Sequence, residues 1–367
     1  MKYLFVVQGE GRGHLTQALS MMSLLEKNGH EVVSILVGSS QKRSLPDFFT
    51  NNTQNKLIKF RSPNFLPLPK EKRPFLLTSI LYNLFLIPVF IESIFTIKKA
   101  IKANQPDIVI NFYELLCGIT YGVFNPTAPM VNVAHQYYFL TSNFRYTGKK
   151  KLEFLLLNFY SRFTALNASK ILALSFRNEE TEQYEEINIV PPLLRKEIFD
   201  KSTQNGNYIH GYMLNNGYAN DLLKWSKRYP AEKLHFFWDK KSVGSTTELS
   251  DNLTMHCLDD VLFLKYMSGA KAYATTGGFE SVCEAIYLQK PVLMVPTHIE
   301  QECNVIDALN SNVGVGADSF NLDLLLDCVP SFNPNTEFRH WANAAESIFL
   351  TELTSFELCE DNFYVAI

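Results

Sequence analysis

The chain has little of what usually gives a small protein away. Its six cysteines, Cys117, Cys257, Cys283, Cys303, Cys328 and Cys359, never fall as a CxxC pair, which removes the common zinc pattern and any disulfide framework. Charged residues make up only 19% of the chain and the formal net charge is −3, so nothing global attracts nucleic acid. No basic leader with a small-residue cleavage site opens the sequence. Together with the scattered thiols, this predicts a reducing, cytoplasmic setting. Low-complexity segments and internal repeats are also missing. The acidic pair Asp259-Asp260 reads as a helix start, with either residue a plausible N-cap, rather than as a strand-end metal site, so neither a metal nor a cofactor is expected.

What remains is a globular composition, 46% hydrophobic over 367 residues, long for one core and natural for two. The first half alternates short apolar strands with helical periods. Residues 3–7 form a strand that empties into Gln8-Gly9-Glu10-Gly11-Arg12-Gly13-His14, and a helix follows with Leu15, Ala18, Leu19, Met22 and Leu25 on one face. Asn28-Gly29 stops that helix, and residues 31–36 give the second strand. Further strands read at 56–60, 107–111, 130–134 and 170–174, with a helix at 152–166, and a last strand at 187–194 runs into the Pro191-Pro192 hinge. The rhythm restarts at 207–213 and continues through a helix at 218–228, strands at 233–238 and 253–257 and a helix at 260–268. An α/β fold of two units follows from this alternation, with domains predicted at 1–195 and 206–335, a linker at 196–205 and a terminal segment at 336–367.

The most informative stretch is 275–304, TTGGFESVCEAIYLQKPVLMVPTHIEQECN. A strand at 271–274, a sharp turn at Gly277-Gly278 and a helix carrying Val282, Ala285, Ile286 and Leu288 leave free backbone N–H groups at a helix N-terminus, where phosphate binds favourably. Ser281 adds a hydroxyl. Glu284, one turn on, has the chemistry to accept from two ribose hydroxyls. A second strand at 291–295 ends at Pro296, and Glu300 and Gln301 follow at its C-terminal mouth, where open α/β sheets hold ligands.

These residues, Gly278, Phe279, Glu280, Ser281, Glu284, Pro296, Glu300, Gln301 and Asn304 in this spacing, resemble the donor-nucleotide region of the GT-B glycosyltransferase superfamily, which includes the UDP-glycosyltransferases and the lipid I GlcNAc transferase. The resemblance implies two Rossmann-like domains facing a central cleft, and a last helix, about 337–353, crossing back onto the first. It also implies a UDP-sugar donor, with Gly277, Gly278, Phe279 and Ser281 on the diphosphate, Thr276 among the donor-binding residues, Glu284 on the ribose, and Glu300 and Gln301 on the sugar hydroxyls. Two positions depart from the pattern: Thr276 stands where relatives usually carry His, and Glu280 where they often carry Asn. A carboxylate beside a diphosphate is repelled unless it turns away, so Glu280 is given no phosphate contact.

The first glycine-rich loop is not the GxGxxG fingerprint. It is similar instead to the first loop of GT-B enzymes, which brings Gly11 and Gly13 towards the donor phosphates and ends in a His. The resemblance implies that His14 deprotonates the acceptor hydroxyl, and its place at a helix N-terminus favours the neutral imidazole this requires. In several relatives an Asp orients that base. The corresponding strand exit here carries Asn111, Tyr113 and Glu114, of which Asn111 or Glu114 is the expected substitute. His135 and Gln136, at the cleft end of the strand at 130–134, are acceptor-side candidates.

Residues 75–97 are strongly apolar and nearly long enough to span a bilayer, although Asn83, Pro88 and Glu92 interrupt them. Two readings stay open: a core-facing helix pair, or a peripheral membrane face over 75–103, helped by Lys98, Lys99 and Lys102 and by the run Lys149-Lys150-Lys151. The function expected is transfer of a hexose-type sugar from a UDP donor to a hydroxyl acceptor, lipid-linked or cell-envelope glycan included, inverting and metal-independent. That activity would sit in the cytoplasm or on the inner face of the cell membrane. A UDP-sugar 2-epimerase and a non-catalytic nucleotide-sugar binder are the alternatives.

Overall fold

The structure is a computed structural model that describes residues 1–41, 43–64, 82–181, 186–213, 216–238 and 245–361. Its first half runs β1 (Lys2–Gln8), α1 (Arg12–Lys27), β2 (Glu31–Ser39), α2 (Asp47–Thr53), β3 (Leu57–Arg61), α3 (Ile87–Asn104), β4 (Ile108–Phe112), α4 (Leu115–Phe124), β5 (Met130–Ala134), a 3-10 turn (His135–Leu140), α5 (Lys151–Thr164), β6 (Lys170–Leu174) and β7 (Ile187–Val190). The second half runs β8 (Tyr208–Met213), α6 (Ala219–Arg228), β9 (Lys233–Trp238), β10 (Thr246–Ser250), β11 (Leu253–Cys257), α7 (Asp260–Gly269), β12 (Ala272–Thr275), α8 (Phe279–Tyr287), β13 (Val292–Met294), α9 (Ile299–Asn310), β14 (Val315–Gly316), α10 (Leu322–Cys328), α11 (Thr336–Asn343) and α12 (Ala345–Asp361).

Two seven-stranded sheets result, in the orders β3-β2-β1-β4-β5-β6-β7 and β10-β11-β9-β8-β12-β13-β14. Every pairing is parallel except that of β10 with β11. The strands covered by helices on both faces are buried along their length and almost wholly apolar, as in Tyr3–Val7 of β1 and the five residues of β4, of which Asn111 alone is polar, and this explains why they read as runs rather than alternations. Strand order reverses between β1 and β4 in the first sheet and between β8 and β12 in the second. Loops diverge at such switch points and open a crevice at the strand C-termini. The Gly9–Gly13 loop follows β1, and the Gly277-Gly278 turn follows β12.

Several elements differ from the sequence reading. Helix α2 is too short for a period to show, and α4 carries Gly118 and Gly122, which weaken its helical signal. Gly118 is required there, because a Cβ would lie 2.2 Å from the Phe163 carbonyl oxygen of α5. The expected strand at 291–295 contracts to Val292–Met294, and the strand at 187–194 ends at Val190, before the two prolines. The last helix breaks at Ala344 into α11 and α12. Phe349 and Leu353 join the buried cluster of Leu15 and Phe5, Trp341 donates to the Ser175 carbonyl at 3.0 Å, and Lys170 reaches Glu352 at 2.9 Å, so this end of the chain packs on the first sheet.

The expectation for residues 75–97 falls partly outside the described residues. Within them, α3 buries Phe90, Ser93 and Ile97 and leaves Ile87, Ile91 and Phe95 exposed. Among the described residues no helix is long and apolar enough to cross a membrane.

Candidate active site between the two sheets

The first sheet contributes His14, the third residue of α1. Gly9 lets the preceding loop fold back, its N–H bonded to the Gly38 carbonyl at 2.7 Å, where a Cβ would meet Val37 and Gly38 at under 3 Å. The loop thus delivers His14 to the cleft with only 8% of its surface exposed. Its Nδ1 lies 3.1 Å from Gln17 Oε1, and its Nε2 lies 3.5 Å from Gln136 Nε2. The ring stacks on Tyr113 at 5.5 Å between centroids. Tyr113 closes β4 at φ 60°, a left-handed conformation costly for an aromatic residue, and its hydroxyl is tied to Ser161 at 2.7 Å. Burial lowers the His14 pKa from its ordinary value, against the opposing pull of Glu300 and the Gln17 bond. The neutral imidazole expected from the helix N-terminus is therefore favoured chiefly by desolvation.

The expected orienting residues are corrected by the structure. Glu114 Oε1 is occupied by Ser62 Oγ and the Leu116 N–H as the N-cap of α4, while Asn111 bonds the Glu114 backbone and the Thr164 carbonyl. Neither reaches His14. Gln17, one helical turn beyond it, does. A histidine and a polar residue at i and i+3 was the available sequence signal.

The second sheet contributes the turn after β12. Gly277 adopts φ 83°, and its carbonyl accepts from Asn304 Nδ2 at 3.0 Å. Thr276 is buried, and Gln301 braces the turn from α9: its Oε1 takes the Thr297 N–H at 2.9 Å and the Thr297 hydroxyl at 2.7 Å, and its Nε2 reaches Thr276 Oγ1 at 3.4 Å. Gln301 is thus turned into the protein rather than towards the cleft. Ser281 Oγ donates to the Gly278 carbonyl at 3.2 Å, within the first turn of α8. Glu300 does face the first domain and accepts from Gln136 Nε2 at 2.9 Å.

The two halves meet closely. Gly13 lies so near α8 that a Cβ would stand 3.3 Å from Glu280 Cγ, whereas a Cβ on Gly11 would meet nothing within 4 Å. Phe279 stacks on His135 at 3.8 Å between centroids. His135 is buried, with Nδ1 2.6 Å from the Leu174 carbonyl and Nε2 3.5 Å from Asp307 Oδ2, so it packs the interface and offers no group to the cleft, unlike its neighbour Gln136. Glu284 is 1% exposed and held by Arg195, Nε to Oε1 at 2.5 Å and one terminal nitrogen to Oε2 at 3.0 Å. Arg12 donates to both oxygens of Asp260 at 2.8 Å. Asp259 is the side chain that caps α7, accepting from the Leu262 N–H at 2.7 Å, which frees Asp260 for this pairing. Arg12, Gln17, Arg195 and Asp260 were not singled out from sequence as site residues. Arg12 inside a glycine-rich loop and Arg195 just past a Pro-Pro hinge were the visible hints.

Chemically, the arrangement sets an imidazole whose Nε2 meets only a 3.5 Å contact from Gln136 against a helix N-terminus, with a carboxylate and two carboxamides between them. Such a pair can remove a proton on one side and stabilise departing negative charge on the other. The sequence profile described as glycosyl transferase family 1 matches residues 1–333. No curated protein sequence matches the chain. Among solved structures, Phytolacca americana UGT2 complexed with UDP-2fluoro-glucose and pterostilbene aligns over 96% of this chain and 99% of that one, at 13% identity and a TM-score of 0.63. The kitacinnamycin glycotransferase aligns over 98% of each chain at 12% identity and 0.61, and the calicheamicin glycosyltransferase CalG4 over 96% and 98% at 11% and 0.60. At such identities the likeness speaks for the fold, which is GT-B, and the match over most of its length shows that the chain belongs to glycosyl transferase family 1.

Proposed function

We propose that this glycosyltransferase moves a hexose-type sugar from a UDP-sugar to a hydroxyl acceptor with inversion and without a metal, and that His14 is the base. The observation that carries the reading is the Nε2 of His14, which meets the Gln136 carboxamide at only 3.5 Å while that same carboxamide donates to Glu300 of the second domain at 2.9 Å. The UDP-2fluoro-glucose in the Phytolacca enzyme supports the choice of donor.

In this reading the acceptor O–H gives its proton to His14 Nε2. The acceptor oxygen forms a bond to the anomeric carbon as the bond from that carbon to the phosphate oxygen breaks, its electron pair leaving with UDP. The charge arriving on the diphosphate is met by the N–H groups of Gly278, Phe279 and Ser281 and by the Ser281 hydroxyl, with Gly11 and Gly13 allowing close approach from the other side. Glu284 faces the ribose: a carboxylate has about four acceptor sites, so the two bonds from Arg195 leave capacity for hydroxyls. Glu300 and Gln136 address the sugar, while Gln301 and Thr276 hold the turn in shape. Closing the domains over the donor excludes water and limits its hydrolysis.

The acceptor side of the proposal is membrane-borne. Helices α3, α4 and α5 lie side by side and present Ile91, Phe95, Val123, Leu152, Leu155, Phe159 and Phe163 to solvent, with Phe85 just before α3 at 84% and Leu152 at 69% exposure. Lys98, Lys99 and Lys102 lie on α3, and Lys149 and Lys151 stand at the start of α5, while Lys150 pairs with Glu302; lysines on these helices favour an anionic lipid surface. The test is incubation of purified protein with radiolabelled UDP-sugars and a membrane extract. Transfer of label that His14→Ala lowers at least a hundredfold is expected. Isomerised donor, or donor bound without turnover, would replace this function by epimerisation or binding.

A further inference from the structure

Glu280 takes no part in the proposed chemistry, and it lies half-buried where the two sheets meet. Its Oε1 lies 2.5 Å from Gln17 Nε2, and Gln17 Oε1 lies 3.1 Å from His14 Nδ1. The other oxygen, Oε2, has no hydrogen-bond partner among the described residues.

We propose that Glu280, acting from the second domain through the Gln17 carboxamide, is the positioning residue that fixes the tautomer of His14. The inference rests on His14 being the base. An amide side chain can offer either its oxygen or its NH2 to a neighbouring imidazole, and the two choices have opposite consequences. NH2 facing Nδ1 demands a bare Nδ1 and puts the proton on Nε2, where the ring can no longer accept from a substrate. Oxygen facing Nδ1 demands Nδ1–H and leaves the Nε2 lone pair to accept, which agrees with the Gln136 NH2 that faces it at 3.5 Å. An ionised Glu280 can only accept, so Gln17 must turn its NH2 towards it and its oxygen towards His14. Burial pushes the Glu280 carboxyl up to about 8, with Glu284 raising and Arg195 and Gln17 lowering it. The neutral acid still accepts at Oε1 when its proton sits on the unpartnered Oε2, so the chain of bonds survives either state.

Two further observations bear on the geometry. Gly13 lets Glu280 Cγ approach, since a Cβ there would stand a tight 3.3 Å from it. Tyr113 stacks on the ring and fixes its plane. Because Gln17 sits on α1 and Glu280 on α8, the bonds exist only while the domains are together, and the base is set by closure. The departure from the relatives' Asn at position 280 and the absence of an orienting Asp after β4 are, on this account, one compensated change.

The experiment is 15N NMR of the imidazole nitrogens in the full chain at about pH 9.5, where the Glu280 carboxyl is ionised, with the His14 signals identified by their loss in His14→Gln. Wild type should show the Nδ1–H tautomer. Glu280→Gln presents both a donor and an acceptor and should raise the Nε2–H fraction at least threefold. The exchanged pair Gln17→Glu with Glu280→Gln restores an acceptor-only group against Nδ1 and should return the wild-type spectrum. If Glu280→Gln does not fold, Gln17→Met gives the same reading. A wild-type Nε2–H tautomer, or a His14 spectrum indifferent to these changes, overturns the proposal. The readout needs no substrate, so a failure to bind UDP would sink the functional reading and leave this result standing.

Discussion

Arg195, five residues past β7, grips the buried carboxylate of Glu284 on α8 through two nitrogens, and one of its terminal nitrogens also stands 3.7 Å from Asp260. Asp260 in turn holds Arg12 of the first glycine-rich loop, so a single cluster of charges joins the hinge, the donor helix and the loop that carries His14.

Removing one partner from such a buried pair leaves the other desolvated and uncompensated. Arg195→Leu should therefore cost about 3–5 kcal/mol in urea unfolding, whereas Arg195→Leu with Glu284→Leu should recover much of that loss. A single variant as stable as wild type would show that the pair does not hold the structure together.

Acid should destabilise the second sheet through His210. This ring is fully buried against Phe237, Phe263 and Tyr273, and burial drives its pKa down to about 3, with the His235 backbone opposing and His256 and His235 adding to the fall. The folded pKa lies below the unfolded value near 6.5, so the unfolded chain binds the extra proton. Stability from this group is complete above 6.5 and is lost as pH falls towards 3, by about 1.4 kcal/mol at pH 5.5. Glu114 and Asp307, both pushed up to about 7 by burial, act in the opposite sense, so the comparison must be between proteins. Between pH 7.5 and 5.5 wild type should lose about 1.4 kcal/mol more than His210→Phe in urea melts. Equal losses would exclude a neutral buried His210.

Much of this fold was legible in the sequence because parallel strands covered on both faces are apolar runs punctuated by turns. The Gly277-Gly278 turn was visible since only glycine suits φ 83° there. Side-chain pairings across the cleft were not, since the groups that meet come from distant parts of the chain: Gln17 with Glu280, Arg12 with Asp260, Arg177 with Asp307. His135 illustrates the limit. Its position at the end of β5 was read correctly, but whether its ring faced ligand or the Phe279 ring depended on a partner 144 positions away. Glu280, set aside from sequence on electrostatic grounds, turns out to bond Gln17 instead.

The apolar face of α3 to α5 should bind anionic lipid. In flotation with vesicles containing phosphatidylserine, wild type should rise with the lipid, and the triple change Leu152→Ser, Leu155→Ser and Phe159→Ser should cut the bound fraction at least fivefold. All three side chains are half-exposed or more, so the fold should tolerate the change. Binding that ignores these substitutions would remove this face as the docking surface.

The account stands most directly on where a nucleoside diphosphate sits, and a crystal structure of the protein soaked with UDP measures that. The diphosphate is predicted against the N–H groups of Gly278, Phe279 and Ser281, with the ribose on Glu284 and His14 Nε2 across the cleft. UDP elsewhere on the molecule, or a helix end still closed at saturating UDP, would contradict it.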